Sequence, residues 1–588
     1  MKEFFKHVLA VVVGLLIVGA FTGIMSFVML FSMLAATQTT PEIRPGTVLR
    51  IDLSGTLSER ATSSALSDFF GTSATDSQGL DDIRRAIKVA AANDNVVGIY
   101  IESGILSSDH ATLEELRKEL TDFKQTGKFI LAYGDSYMQG AYYVASVADS
   151  LLVNPSGMID WHGISAQMTF YSELLDKVGV KMQTFRVGTY KSYVEPYTRT
   201  SMSDANRQQL RSMISDIWTV ETKDVAASRH LSVDTLNHIA DGYCALASPD
   251  DYVKKGLADR LAYIDEARDI LHRLAGTDDV HLLSPQEMAL CDNSRASSSE
   301  GEIAVYYATG SIVGSATEGL LGSGEQIVGP DVVSDLDALE KDDDVKAVVL
   351  RVNSGGGSAY ASEQIWHAIC KLREKKPVVV SMNGAAASGG YYISCGADCI
   401  VAEPTTLTGS IGIFGMIPDA TGLLVDKLGL HFDVVKTNET SDFGAMGRAF
   451  SPAESAAMQA YVERGYQLFL QRVAAGRKMT VEQVDSIAQG RVWTGRQALS
   501  LGLVDRLGTL DDAISEAARR AKLTDYALES YPAPAPWYDD FLEKQKSEYM
   551  ESKLQRILGT YYRPLLFLST LNGTDCLQAR VPFVLELN

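Results

Sequence analysis

One serine lies in a setting typical of a catalytic nucleophile. Ser388 belongs to the string Asn383-Gly-Ala-Ala-Ala-Ser-Gly-Gly-Tyr-Tyr392, which follows the β-branched run 378–382. The run predicts a buried strand, and residues 391–396 predict the first turns of a helix. The flanking residues are too small to shield the hydroxyl, and the following glycines can point free N–H groups at the attacked atom. Ser388 is therefore a candidate nucleophile at a strand-to-helix elbow. A Gly/Ala-rich helix start selected for close packing would give the same string.

A base for Ser388 has to come from elsewhere, and one lysine is conspicuous. Lys191 lies in Arg186-Val-Gly-Thr-Tyr-Lys-Ser192, a segment in which a lysine is more often a solvated loop residue. Histidine is the alternative base. None of the nine histidines lies in a recognisable motif, so a Ser-His-Asp triad stays open but unsupported. They are at positions 7, 110, 162, 230, 238, 272, 281, 367 and 431.

The elements that must position these two residues occur twice along the chain. Each copy has a buried-strand pattern, an amphipathic helix pattern and a second strand pattern. The matched segments are 95–101 with 344–350, 111–123 with 361–373, 129–133 with 378–382, 140–143 with 389–392, and 256–261 with 502–507. The offset stays between 246 and 250 residues, which indicates an internal repeat. Strands alternating with helices predict an α/β fold with a mostly parallel sheet in each copy.

The repeat separates the two candidate residues between the copies. Gln139 stands opposite Ser388, and Ser441 stands opposite Lys191. Neither copy has both residues at matched positions, so the sequence predicts one composite site formed between the halves. The second half alone is accordingly expected to be inactive.

Length and pattern divide the chain into several parts. A chain of 588 residues is too long for one hydrophobic core. The expected parts are an N-terminus with a transmembrane anchor at 1–40, a first repeat at 41–283, a polar linker at 284–302, a second repeat at 303–525, and a C-terminal tail of unassigned role at 526–588.

The N-terminus predicts a membrane anchor. Residues 8–34 are almost wholly apolar, about 27 residues or about 40 Å as a helix, against a hydrocarbon core of about 30 Å. Lys2 and Lys6 precede this run, which places the N-terminus in the cytoplasm and the bulk of the chain outside. A cleaved signal peptide with a site near 33–37 is the alternative, but its apolar region would be about half as long.

Composition excludes several functions. With 53 basic and 74 acidic side chains, the net charge is −21, which argues against nucleic acid or an anionic lipid surface as a partner. The six cysteines form no CxxC pair and no metal-binding spacing with histidine, so no metal site is predicted.

Four strings together resemble a known family. They are Arg351-Val-Asn-Ser-Gly-Gly-Gly-Ser358, Ala386-Ala-Ser-Gly-Gly-Tyr-Tyr392, Leu407-Thr-Gly-Ser-Ile-Gly-Ile-Phe-Gly415 and Val187-Gly-Thr-Tyr-Lys-Ser192. In this order they resemble the long, duplicated form of the SppA family, bacterial membrane-bound signal peptide peptidases of the Clp-protease/crotonase superfamily. Gly355 is a departure, because the family often has proline there. The resemblance ends near residue 520 and does not reach the tail.

The resemblance implies how the site residues are used. Ser388 would be the nucleophile and Lys191 the general base of a Ser/Lys dyad, with Ser410 holding the lysine amine by a hydrogen bond. Backbone N–H groups of Gly389 and of Gly356 or Gly357 would form the oxyanion hole. A lysine has an ordinary pKa of about 10.4 and can act as a base near neutral pH only if burial lowers that pKa.

The resemblance also implies substrates and surroundings. Expected substrates are released signal peptides and other apolar peptides in the membrane, cut by a homotetramer in the bacterial inner membrane with its bulk in the periplasm and without a cofactor. Two other classes compete with this hypothesis. An acyl-CoA enzyme of the crotonase type shares the glycine-rich loops, but an exported location argues against it. A catalytically inactive scaffold is disfavoured by the presence of both Ser388 and Lys191.

Overall fold

A computed structural model describes residues 41–61, 77–292, 300–316, 325–533, 577–581 and 586–587, with scattered positions between 6 and 25. The expected anchor at 8–34 lies mostly outside these residues. Within the described part of the chain, no helix combines the length and the apolar character needed to cross a membrane.

The described residues alternate between strands and helices along most of the chain. The strands are β1 Thr47–Ser58, β2 Ser77–Gly79, β3 Val96–Ser107, β4 Phe129–Tyr137, β5 Ser150–Ile159, β6 Ala166–Gln167, β7 Lys181–Arg186, β8 Arg260–Leu261, β9 His281–Leu283, β10 Glu302–Thr309, β11 Ser311–Val313, β12 Gln326–Val328, β13 Val345–Ser354, β14 Gly356–Ser358, β15 Val378–Ala387, β16 Cys399–Ala402, β17 Leu407–Gly409, β18 Phe414–Asp419, β19 Val492–Thr494, β20 Arg506–Leu507, β21 Ala527–Tyr531, β22 Leu577–Arg580 and β23 Glu586–Leu587. The α-helices are α1 Leu80–Ala92, α2 His110–Lys124, α3 Gln139–Ala145, α4 Ser172–Val178, α5 Glu195–Thr198, α6 Asp204–Arg229, α7 Val233–Ala240, α8 Pro249–Lys254, α9 Ile264–Ala275, α10 Pro285–Ala289, α11 Gly329–Lys341, α12 Ala359–Arg373, α13 Gly389–Ser394, α14 Pro452–Arg477, α15 Val481–Ile487, α16 Gly495–Ser500 and α17 Leu510–Ala521. Short 3₁₀ turns lie at Ser192–Val194 and Cys244–Leu246, and a π-helical turn at Gly422–Lys427.

The first half contains a parallel sheet in the order β2-β1-β3-β4-β5-β8, with β9 paired to β1. Its strands are buried on both faces. Val48 packs with Leu271 of α9, while the next residue, Leu49, belongs to the core that includes α1 and α2. Helices cover both faces, as is usual for a parallel sheet. The α/β fold predicted for this copy is confirmed.

The second half repeats this architecture. Its sheet runs β19-β17-β15-β13-β10-β21, with β16 between β15 and β20, and only the β17–β19 pairing is antiparallel among these described strands. Val348 packs against one layer, which includes Ile365 and Ile369 of α12. Val349 packs against the other layer, formed by α17. The predicted second copy is therefore also confirmed.

A third sheet joins the two halves. Its order is β12-β11-β14-β22-β18-β7. Strand β7 belongs to the first half, yet it pairs antiparallel with β18 of the second half, from Arg186 opposite Phe414 to Lys181 opposite Asp419. Strand β22, near the C-terminus, lies between β14 and β18. This sheet brings the segment that follows β7 against the second half.

Buried charges lie where the halves meet. Arg351, fully buried on β13, is 3.0 Å from Glu59 Oε2 and also pairs with Glu115. Arg84 contributes a second guanidinium, 3.2 Å from Glu115 Oε1, and it also pairs with Asp511 of α17. Each of these buried guanidinium groups has carboxylate partners, which such groups require inside a protein.

The segments expected to be a linker and a tail contain structured parts. Helix α10 begins inside the expected linker at 284–302, and Met288 is fully buried in the core of the first half. Ser284 caps this helix, with Glu287 bonding back to it. Strand β21 of the tail lies parallel to β10 and completes the edge of the second sheet. A capped helix and a paired strand thus lie within the segments that were expected to be the linker and the tail.

Candidate active site

Ser388 lies at the turn between strand β15 and helix α13. Its φ of 56° and ψ of −111° lie outside the helix and strand regions. Its N–H donates to the Gly409 carbonyl at 2.8 Å, and its carbonyl accepts from the N–H of Tyr392 at 2.8 Å. The strand-to-helix elbow predicted from the sequence is confirmed. The expectation of an open hydroxyl is not met, because Ser388 is fully buried by segments that are distant in sequence.

Lys191 reaches Ser388 from the other half of the chain. Its Nζ lies 2.8 Å from Ser388 Oγ, 3.0 Å from Ser410 Oγ and 3.1 Å from the Ser410 carbonyl oxygen. All three residues are fully buried. The structure therefore brings together the serine, the lysine and the second serine that the sequence singled out separately.

Burial determines the protonation of this lysine. Desolvation holds the pKa of Lys191 well below its ordinary value, because the ammonium form loses its hydration inside the protein. Among the residues that the structure describes, the hydrogen bonds of Nζ go to serine oxygens and not to a carboxylate that would stabilise the charge. Burial thus shifts the equilibrium of Lys191 towards the neutral amine, the form that can accept a proton.

Glycines allow the Lys191 segment to come close to the second half. A Cβ on Gly490, which has a φ of +78°, would lie 2.7 Å from Lys191 Cβ. A Cβ on Gly188, with a φ of +101°, would lie 2.5 Å from the Gln489 carbonyl oxygen. Tyr190 donates its N–H to the same carbonyl oxygen at 2.9 Å. Gly490 has no distinguishing signal in the sequence, because its contact with Lys191 joins residues about 300 positions apart.

Helix α6 supports the lysine segment from the side. Gln209 Nε2 donates to the Tyr190 carbonyl at 3.1 Å and to Ser192 Oγ at 2.9 Å, while its Oε1 accepts from the N–H of Val492 at 3.3 Å. One buried glutamine thus links residues on both sides of Lys191 to the second half. Nothing in the sequence marks Gln209, since a glutamine within a helix is usually solvated.

The glycines expected to form an oxyanion hole lie beside the elbow. A Cβ on Gly356 would lie 2.6 Å from the Gly389 nitrogen, so the two backbones are close together. The N–H of Gly356 donates to Ser354 Oγ at 3.1 Å. A Cβ on Gly357 would lie 2.0 Å from the Ile312 carbonyl oxygen. Any side chain at either position would collide with backbone, so these glycines are required by packing as well as by any role in catalysis.

Two of the candidate histidine bases have acidic partners elsewhere. His110 Nδ1 bonds to Glu221, and His162 Nδ1 lies 2.9 Å from Asp160 Oδ1. The structure instead places Lys191 Nζ at Ser388 Oγ. In the described residues, no cluster of three or more potential ligands could hold a metal ion.

The serine at the glycine-rich elbow and the duplicated βα unit agree with a hydrolase of the serine type. The model of Peptidase family S49 matches the chain twice, at residues 122–278 and 370–524, and the chain belongs to this family. The protein is accordingly a serine peptidase. The model of the Clp protease family also matches residues 320–403, in agreement with a Clp-protease-like fold.

Named relatives cover most of the chain. Protease 4 of Salmonella typhi is 39% identical over 505 residues, 82% of this chain and 80% of its own. Protease 4 of Haemophilus influenzae is 34% identical over 480 residues, 78% of this chain and 75% of its own. The chloroplastic serine protease SPPA of Arabidopsis thaliana is 30% identical over 507 residues, 84% of this chain and 72% of its own. Both halves of the chain are therefore similar to established members of one family.

Proposed function

We propose that this peptidase cuts peptide bonds with a Ser388/Lys191 dyad. The observation that supports it best is the distance of 2.8 Å between Lys191 Nζ and Ser388 Oγ, inside a site where both residues are fully buried. A nucleophile within hydrogen-bond reach of a deprotonated base is the geometry that nucleophilic catalysis needs.

The proton follows a short path. Neutral Lys191 takes the proton of the Ser388 hydroxyl as Oγ attacks the carbonyl carbon of the substrate. The resulting ammonium donates that proton to the nitrogen of the leaving amine, and an acyl-enzyme remains on Oγ. Water then attacks the ester carbonyl while Lys191 takes its proton. The C–Oγ bond breaks, the ammonium of Lys191 returns the proton to Ser388 Oγ, and the acid product leaves. Ser410, 3.0 Å from Nζ through its Oγ, holds the amine in line throughout the cycle.

The oxyanion that forms during attack needs backbone donors. The N–H of Gly389, the residue after the nucleophile, is one donor. The second is the N–H of Gly357, or that of Gly356 once it is released from Ser354 Oγ. Each such donor is typically worth about 3–4 kcal/mol of transition-state stabilisation. The close approach of the Gly356 and Gly389 backbones supports this assignment.

The proposed substrates are apolar peptides, in particular signal peptides already released into the membrane. The family resemblance and the named relatives support this class. The proposal includes an anchor at 8–34 that holds a homotetramer on the outer face of the bacterial inner membrane. Protease accessibility of the bulk in sealed spheroplasts, and sedimentation of the detergent-solubilised protein, test topology and assembly separately.

Replacement of either dyad residue tests the chemistry. Ser388→Ala and Lys191→Ala should each lower kcat for an internally quenched apolar peptide by at least about 10³-fold, because each removes an essential part of one unit. The matched controls are Ser500→Ala and Lys181→Ala, which change exposed residues of the same types and should keep kcat. Circular dichroism checks that all four variants fold. Near-native turnover by Lys191→Ala would exclude the dyad.

A further inference from the structure

A short segment beside the lysine bonds to two strings of the site. The segment is residues 489–491, between α15 and β19. Its Arg491 carbonyl accepts the N–H of Ser410 at 2.7 Å. Its Gln489 carbonyl accepts the N–H of Tyr190 at 2.9 Å, and Tyr190 is the residue before the lysine. The segment therefore contacts the lysine string of the first half and the Ser410 string of the second half at once.

Side chains of α14 and α15 fix the conformation of this segment. Gln489 has a φ of 53°, in the left-handed region that a residue other than glycine rarely adopts. Its Nε2 donates to Asp485 Oδ1 at 2.6 Å, and its N–H donates to the Tyr466 hydroxyl at 3.2 Å. The Tyr466 hydroxyl in turn donates to Asp485. The segment is thus held on the second half, where it can support the lysine string.

The side chain of Arg491 contacts aromatic rings from both halves. Its Cζ lies 4.0 Å from the centroid of the Trp493 ring of β19 and 5.0 Å from the centroid of the Tyr190 ring. Within the part of the chain that the structure describes, Arg491 has no carboxylate partner, and its Nε is buried without a hydrogen-bond partner. A guanidinium that is shielded from water binds aromatic faces more strongly than an exposed one. The two rings are therefore the partners of this cation, and they belong to different halves of the chain.

We propose that Arg491 is a positioning residue, which clamps the Tyr190 ring to the Trp493 ring. The clamp keeps the adjacent Lys191 amine buried at Ser388. This inference rests on the proposed function for the role of Lys191 as the base. Lys191 follows Tyr190 directly, so its backbone cannot move away while the ring stays in the clamp. The glycine contacts described above only permit the close approach, whereas the cation–π contacts are attractive.

Loss of the clamp should change the protonation of the lysine as well as its position. Burial lowers the pKa of Lys191, and water that enters beside a loosened segment would raise this pKa towards its ordinary value. The acid limb of kcat/KM should then move to higher pH. A residue that only stabilised the fold would leave the pH of this limb unchanged. The pH profile therefore distinguishes positioning of the base from general stabilisation.

Two substitutions at position 491 test the clamp by kinetics. Arg491→Met keeps an unbranched side chain and removes the cation. We expect kcat for the apolar peptide to fall about tenfold, KM to change less than about twofold, and the acid limb to rise by about one pH unit. Arg491→Lys keeps a cation beside the rings and should retain kcat within about threefold of the parent. The control Arg464→Met removes a guanidinium 5.6 Å from the centroid of the Tyr461 ring, on the exposed side of α14, and should keep both kcat and the pH profile.

Chemical labelling of the lysine is a measurement that does not depend on turnover. The full chain with Ser388→Ala is treated with acetic anhydride, and acetylation of Lys191 is measured by mass spectrometry, with the exposed Lys181 as the internal standard. Adding Arg491→Met should make the labelling of Lys191 at least about tenfold faster, because the segment opens more often. Tyr190→Leu removes the other partner of the clamp and should have the same effect.

The outcomes separate the clamp from the dyad. Equal labelling of Lys191 with and without Arg491→Met would overturn the proposal. An acid limb that stays in place in Arg491→Met, while Lys191→Ala is inactive, would do the same. If circular dichroism shows that Arg491→Met does not fold, Tyr190→Leu gives the same two measurements. Turnover by Lys191→Ala would instead count against the dyad, whatever the labelling shows.

Discussion

Burial of the lysine in the site costs folding stability, and the same burial favours its use as a base in the reaction. Lys191 is fully buried among oxygen acceptors, and desolvation holds its pKa well below the ordinary value. In the unfolded chain the same side chain is charged and hydrated. Between its folded and unfolded pKa values, folding therefore has to release a proton, which costs stability.

Replacing this lysine by an apolar side chain of similar length should abolish activity and stabilise the fold. We expect Lys191→Met to unfold with a free energy about 0.5–2 kcal/mol higher than the parent at pH 7, because methionine needs no hydration. Urea denaturation followed by circular dichroism measures the difference. The exposed Lys181→Met is the control and should change stability by less than about 0.5 kcal/mol. If Lys191→Met is less stable than the parent, the hydrogen bonds of the amine with Ser388 and Ser410 contribute more to the free energy of unfolding than burial of the amine costs.

The lowered pKa of Lys191 also predicts the pH profile. Only the neutral amine accepts a proton, so kcat/KM should fall on the acid side as Lys191 becomes protonated. Because burial lowers this pKa well below the ordinary 10.5, the plateau should be reached at a pH well below 10.5. Rates of cleavage of an apolar peptide, measured across the pH range, give the pH at which kcat/KM begins to fall. An inflection close to 10.5 would mean that the lysine is solvated in the working enzyme.

At the scale of elements, positive-φ glycines let the chain segments that carry the dyad approach each other. Gly490, between α15 and β19, packs directly on Lys191, and Gly188 packs on Gln489. A side chain at either position meets backbone atoms of the neighbouring segment, so the neighbour cannot simply turn a flexible side chain away. The position of Lys191 thus depends on glycine, which has no Cβ atom, at both Gly188 and Gly490.

A methyl group at position 490 should therefore disturb catalysis more than folding. Gly490→Ala places a Cβ 2.7 Å from the Lys191 nitrogen and strains a residue with a φ of +78°. We expect kcat to fall by about 10²-fold with KM less affected, since displacement of a catalytic group by about 1 Å has that effect. Gly465→Ala, inside helix α14, would meet only ordinary contacts at 3.7 Å and should keep kcat. Unchanged kcat in Gly490→Ala would show that Lys191 is not positioned by this contact.

Local elements could be predicted from the sequence, but their long-range pairing could not. Helix α12 was expected at 361–373 and spans Ala359–Arg373, because its apolar residues have helical spacing. The pairing of β7 with β18 has no such signal, since it joins residues more than 200 positions apart. Within the site, the string around Ser388 was visible because an elbow requires small residues in one short segment. The support that Gln209 and Gly490 give to Lys191 exists only after folding.

For the whole molecule, the interface between the halves contains carboxyl groups that resist ionisation. Glu114 of α2 accepts the Thr405 N–H at 3.1 Å and its hydroxyl at 2.7 Å. Burial raises the pKa of Glu114 to about 8, although the hydrogen bonds from Thr405 act in the opposite direction. Burial likewise raises the pKa of Glu403 well above its ordinary value. Both groups are therefore protonated in the folded protein at a pH where the unfolded chain is ionised.

This difference between the folded and unfolded pKa values makes the free energy of unfolding fall as the pH rises. The contribution of Glu114 is complete below its unfolded pKa of about 4.5 and is lost as the pH rises through about 8. One such group changes the unfolding free energy by up to about 1.4 kcal/mol per pH unit between these values. Glu114→Gln keeps the carbonyl acceptor for Thr405 and removes the titration, so urea midpoints between about pH 6 and 9 should vary less than in the parent. Identical pH dependence in the two proteins would show that Glu114 is already ionised in the fold.

The pairing of β7 with β18 has a mechanical consequence. Strand β7 is bonded along its length to the half that carries Ser388. The backbone that leads to Lys191 is therefore attached to that half. Moving the Lys191 backbone away from Ser388 would therefore require breaking the β7–β18 pairing and also the hydrogen bonds that tie α6 to β19.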